Sequence, residues 1–77
     1  MRMETKALAA IKAGDRTIED YGTASCSEWL TLCLALDRHD QLVGTGYETP
    51  SVAWGRLDDR QRAIVRAADP SYAPAGR

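Results

Sequence analysis

The chain has one histidine and two cysteines in 77 residues, and its formal net charge is only −1. Each scarcity removes a class of function. A zinc site draws its ligands to about 2.0–2.3 Å around one ion. Cys26, Cys33 and His39 are the only soft ligands, and their spacing fits no CxxC or HxxxH pattern. No metal is expected. A catalytic nucleophile needs a base within hydrogen-bond reach. Ser25, Cys26 and Ser27 open a helix whose far end carries His39, about three and a half turns away. No catalytic residue, no cofactor and no enzymatic activity are expected. Gly44-Thr45-Gly46 lacks the third glycine of a dinucleotide fingerprint and the Gly-Lys-Ser/Thr of a phosphate loop; it reads as a flexible interhelix loop. Phosphate backbones are bound by a basic surplus, so nucleic acid is not the expected partner. No apolar run approaches the ~20 residues of a membrane span. Met1 to Lys6 has no apolar leader core. The expectation is therefore a cytoplasmic protein with no membrane contact.

Cys26 and Cys33 lie seven residues apart. On one helix their Cα atoms stand about 10 Å apart, beyond the ~7 Å a disulfide tolerates. Both read as small buried hydrophobes.

What is present describes one small globular domain. Apolar residues make up 44% and charged residues 27%, too apolar a mixture for a disordered chain. The charge is uneven. Residues 1–54 hold five Lys/Arg and eight Asp/Glu, whereas residues 55–77 hold five Arg and three Asp.

Met3, Ala7, Leu8 and Ile11 recur at helical spacing. Gly14 supplies a stop, so a first helix is expected over residues 3–13. Thr17 to Gly22 reads as one helical turn or a structured loop. Ser25-Cys26-Ser27-Glu28 is a capping box. The run Trp29-Leu30-Thr31-Leu32-Cys33-Leu34-Ala35-Leu36 follows. By pattern it is also compatible with a buried strand; the cap, the Leu/Ala content and the polar continuation select a helix. Its expected span is 26–42, with Gly44 as the stop. Thr49-Pro50 starts a third helix. Asp58, followed three residues on by Gln61, looks like a further cap before the stripe Gln61, Ile64, Val65, Ala68. Two short helices, 50–56 and 59–68, are expected, with one kinked helix as the alternative. Asp69-Pro70 ends the element. The domain is expected over residues 1–70, with 71–77 as a flexible tail.

The fold expected is thus all-α, a bundle of three to four helices around the apolar one. That helix is apolar on nearly every face and must be covered on nearly every face. The shortage of other helices suggests a homodimer. Trp, Tyr and Arg most often dominate protein interfaces. Tyr47, Trp54, Arg56 and Arg60 are accordingly the expected protein-binding residues, although Trp29 reads as a core filler. Arg56, Arg60, Arg62 and Arg66 also admit a small DNA-binding regulator using residues 50–66. The plainer reading of that arginine face is a solvated helix surface.

The stretch Pro50-Ser51-Val52-Ala53-Trp54-Gly55-Arg56-Leu57-Asp58-Asp59-Arg60-Gln61-Arg62-Ala63-Ile64-Val65 resembles the C-terminal half of small accessory proteins of temperate phages from GC-rich hosts. It covers about a fifth of the chain. The resemblance is one of style and transfers no functional residue. It implies a non-enzymatic inhibitor or adaptor that binds a host protein. CRISPR complexes, quorum-sensing regulators and pilus motors are the target types. A minor virion subunit is a further expectation.

Overall fold

The computed structural model describes residues 3–73. It contains four α-helices, α1 (Met3–Lys12), α2 (Cys26–Ala35), α3 (Pro50–Arg56) and α4 (Asp59–Ala68), with 3₁₀ turns at Ile18–Tyr21 and His39–Leu42. No strand occurs among the described residues. The apolar run is a helix.

α2 is the axis of the fold. Leu30, Thr31, Leu32, Cys33 and Leu34 are all buried, five residues in succession. A helix can bury consecutive residues only when neighbours surround it. Here α4 packs most extensively on α2, with α1, α3 and both 3₁₀ turns closing the remaining sides. The hydroxyl of Thr31 donates to the Ser27 carbonyl at 2.7 Å, so it enters the core paired. The shortage of cover that suggested a homodimer is therefore absent: one chain supplies it. Trp29 also lies within the chain's own packing, its indole N–H donating to the Gln41 carbonyl at 3.4 Å.

The ends of α2 are fixed by short-range chemistry. Ser25 N–H donates to the Glu28 carboxylate at 3.0 Å, and Glu28 N–H donates to Ser25 Oγ at 3.4 Å. The helix then stops at Ala35, seven residues before the expected end. Asp37 takes a left-handed φ of 56°. Its N–H donates to the Leu34 carbonyl at 3.3 Å, and that of Arg38 to the Cys33 carbonyl at 2.8 Å. This is the Schellman closure. α1 ends the same way through Gly14, with φ 83° and bonds to Ile11 and Ala10. Glycine adopts that conformation without strain; aspartate is merely tolerated in it. Asp37→Gly is therefore expected to stabilise the fold by about 0.5 kcal/mol, or roughly 2–4 °C in Tm. Thermal melts followed by circular dichroism check this; a lowered Tm would show that the Asp37 carboxylate has a stabilising role.

α3 and α4 are separate helices joined by Leu57 and Asp58. Thr49 Oγ1 accepts the Val52 N–H at 3.3 Å, and Asp58 accepts the Gln61 N–H at 2.7 Å. Leu57, between them, is buried. The tail expected over 71–77 is packed at Tyr72, which lies against the core; positions 74–77 fall outside the described residues. No described helix is long and apolar enough to cross a membrane.

Candidate functional site

The four residues expected to bind a partner fall into different environments. Arg60 belongs to a buried polar cluster. Glu4 is 1% exposed, and both its carboxylate oxygens accept from the Arg60 guanidinium, at 3.3 and 3.0 Å. Gln61 Nε2 donates to the same carboxylate and to Ser27 Oγ, each at 3.1 Å. Gln61 Oε1 accepts the Asp58 N–H at 3.1 Å. One glutamine amide thus caps α4 and ties it to α1 and α2. Arg60 thus braces Glu4 while 35% of its side chain stays exposed.

Burial alone would raise the Glu4 pKa. Hydrogen bonds from Arg60 and Gln61, and the Arg60 charge, overcome this and hold it at about 2. The unfolded chain, with Glu4 near 4.5, binds more protons than the folded one between these values. Stability is therefore complete above pH ~5 and falls as pH drops toward 2, by about 3 kcal/mol from this group. Urea titrations from pH 7 to 2.5 should show that slope, and Glu4→Gln should flatten it. An unchanged slope in the variant would place the acid sensitivity elsewhere.

Trp54 sits in a second cluster. Its ring stacks on Tyr72, with centroids 5.5 Å apart and planes at 30°. The guanidinium carbons of Arg66 and Arg62 lie 5.0 and 5.6 Å from the Trp54 ring centre, in cation–π range. Arg62 also caps α3, donating to the carbonyls of Trp54 at 3.1 Å and Gly55 at 3.4 Å. His39 lies edge-on to Tyr72 at 6.4 Å. It is half-buried. Residue composition gave no signal for this cluster, because Tyr72 lies beyond the proline that ends α4.

The third place is the surface around α3. Val43 and Val52 are the exposed large hydrophobics of the described chain, at 78% and 50%. They flank the loop between the second 3₁₀ turn and α3, two elements that touch. The loop is bonded internally rather than loose. Gly44 N–H donates to the Glu48 carboxylate at 2.8 Å, Thr45 Oγ1 to the Leu42 carbonyl at 2.7 Å, and Tyr47 N–H to Thr45 Oγ1 at 3.1 Å. Tyr47 is half-buried against the core. Arg56 is exposed, one turn beyond Val52 on the same face. It makes no ion pair among the described residues.

The two thiols differ. Cys33 is buried, and burial with the Asp40 charge pushes its pKa up to about 12. It is an inert core residue. Cys26 is exposed at the start of α2, not buried as expected, because the first turn of α2 projects beyond the packing that encloses residues 30–34. Among the described residues no three His, Cys, Asp or Glu side chains converge as metal ligands would. Comparison of the chain with known protein families, with characterised proteins and with solved structures gives no match.

Proposed function

We propose that this protein is a non-enzymatic binding protein, an inhibitor or adaptor that docks on another protein through α3 and the loop before it. One observation carries the reading. The exposed valines Val43 and Val52 border an internally bonded loop, with the unpaired Arg56 one turn beyond Val52. A preorganised surface loses little entropy when it docks, and arginine is among the residues enriched at interfaces. The phage-like character of residues 50–65 makes a protein of the bacterial host the partner to seek.

The same geometry weakens the DNA-binding reading. Of the four arginines between 56 and 66, Arg60 is held by Glu4 and Arg62 by the carbonyls of α3. Two remain to meet phosphates.

The test compares tagged wild-type chain with Val52→Asp/Arg56→Glu in a host lysate. Val52 and Arg56 are both exposed, so the variant keeps its fold. The expected result is one stoichiometric protein retained by the wild type and lost by the variant. A partner retained equally by both would overturn the surface assignment. A gel shift with duplex DNA at low salt, where phosphate contacts are strongest, should be negative; a shift would favour the DNA-binding alternative.

A further inference from the structure

Segment 69–73 is held to the fold by one ring. Asp69, Pro70, Ser71 and Ala73 are exposed, and Tyr72 alone packs inward. The hydrogen bonds of the segment after Asp69 stay inside it: Tyr72 N–H to the Asp69 carbonyl at 2.9 Å, and Ser71 N–H and Oγ to the Asp69 carboxylate at 3.3 and 3.0 Å. Among the described residues, the Tyr72 ring in its seat between Trp54 and His39 is what anchors the strap.

The ring fits that seat imperfectly. Two buried polar side-chain atoms lack a hydrogen-bond partner among the described residues, Tyr72 OH and His39 Nε2, and both belong to this cluster. Asp37 Oδ1 lies 3.4 Å from His39 Nε2 without the alignment of a hydrogen bond. Burial and the charges of Asp37 and Asp69 raise the Tyr72 pKa, so the phenol stays a protonated, unpaired group. A buried hydroxyl without a partner bears its full desolvation cost. A ring lacking the hydroxyl avoids it. Unpaired buried polar atoms are rare enough in folded proteins to call for an explanation. Here both are explained if the seat is built for a different occupant. That occupant has a bare aromatic ring and a free backbone amide or carbonyl for His39 Nε2. Tyr72 cannot offer its own N–H, which is committed to Asp69.

The geometry points to the Trp54–His39 seat as a docking pocket for a phenylalanine side chain of the protein partner, occupied in the free chain by Tyr72. This rests on the protein-binding reading above and extends its surface from α3 to the strap. Binding displaces Tyr72, so the closed strap lowers apparent affinity in proportion to its occupancy.

The two tryptophans provide a resolved reporter, because Trp29 and Trp54 give separate indole N–H signals in a ¹⁵N-labelled chain. The probe is N-acetyl-phenylalanine amide, with N-acetyl-tyrosine amide as the comparison. In Tyr72→Ala the phenylalanine amide should shift the Trp54 signal and leave Trp29 unmoved. Wild type should need roughly tenfold more amide for the same shift, and Tyr72→Phe more still, because its ring closes the seat better. The tyrosine amide should bind several-fold more weakly than the phenylalanine amide. An unmoved Trp54 in folded Tyr72→Ala, or equal response in all three chains, would overturn the pocket. If Tyr72→Ala does not fold, wild type against Tyr72→Phe decides: a weaker response in Tyr72→Phe supports the pocket, and an equal one overturns it. No partner is used, so a negative result removes the pocket and leaves the Val52/Arg56 surface to its own test.

Discussion

Arg60→Ala is expected to destabilise the protein by about 2 kcal/mol, the cost of leaving the buried Glu4 carboxylate short of a hydrogen-bond partner. Glu4 is 1% exposed and, among the described side chains, would keep the Gln61 Nε2 donor. A fold of this size is worth about 4–12 kcal/mol in total, so the loss is a large share of it. At 4–8 °C per kcal/mol for a domain of this length, Tm should fall by roughly 8–16 °C. Arg60→Lys should lie between, because an ammonium cannot reproduce the two parallel bonds to Oε1 and Oε2. The double variant Glu4→Ala/Arg60→Ala should be less damaged than Arg60→Ala alone, since it removes the stranded charge as well as its partner. The damage should also shrink as pH falls and Glu4 takes up a proton. An Arg60→Ala chain within about 1 kcal/mol of wild type would show that the pair is idle.

Leu32→Ala is the second large effect, at about 2–5 kcal/mol. Leu32 is fully buried in the middle of the five enclosed residues of α2. The cost falls in the upper part of that range when the surroundings cannot collapse into the space. They cannot here. The Ser25–Glu28 box holds one end of α2 and the Asp37–Arg38 closure holds the other, so the helix cannot slide to refill the cavity. Urea unfolding should show a lower midpoint with an unchanged slope. A change below about 1 kcal/mol would mean that α2 is free to shift. Val52→Ala, at an exposed position, should stay within ±0.5 kcal/mol.

The helices were legible because their signals are local. The Ser25 box, the Thr49-Pro50 start and the Asp58–Gln61 cap are three-residue chemistry, and each appears where its spacing places it. The early end of α2 was not, because Asp37 in a left-handed conformation looks like any other polar residue of a helical continuation. The buried cluster left a trace. Gln61 stood in an apolar stripe with Ile64 and Val65, and Glu4 stands one turn before Leu8. A polar residue on a core face asks for a buried partner, but nothing local says that Glu4 and Gln61 are each other's, 57 positions apart. The cover of α2 was misjudged for a related reason. The 3₁₀ turns add Ile18 and Leu42 to the core, and helix counting ignored them. Of the expected contact residues, Arg56 lies on the surface, Trp54 and Tyr47 pack inward, and Arg60 is a brace.

The distance in sequence between Glu4 and its partners sets an order of events during synthesis. The chain leaves the ribosome from its N-terminal end, so Glu4 appears early and Arg60 and Gln61 appear late. Until α4 has emerged, α1 offers a carboxylate on the face it will later bury, and that carboxylate belongs in water. The nascent chain therefore has reason to keep α1 loose and hydrated, guarded by its own charge against premature collapse, until α4 arrives to neutralise it.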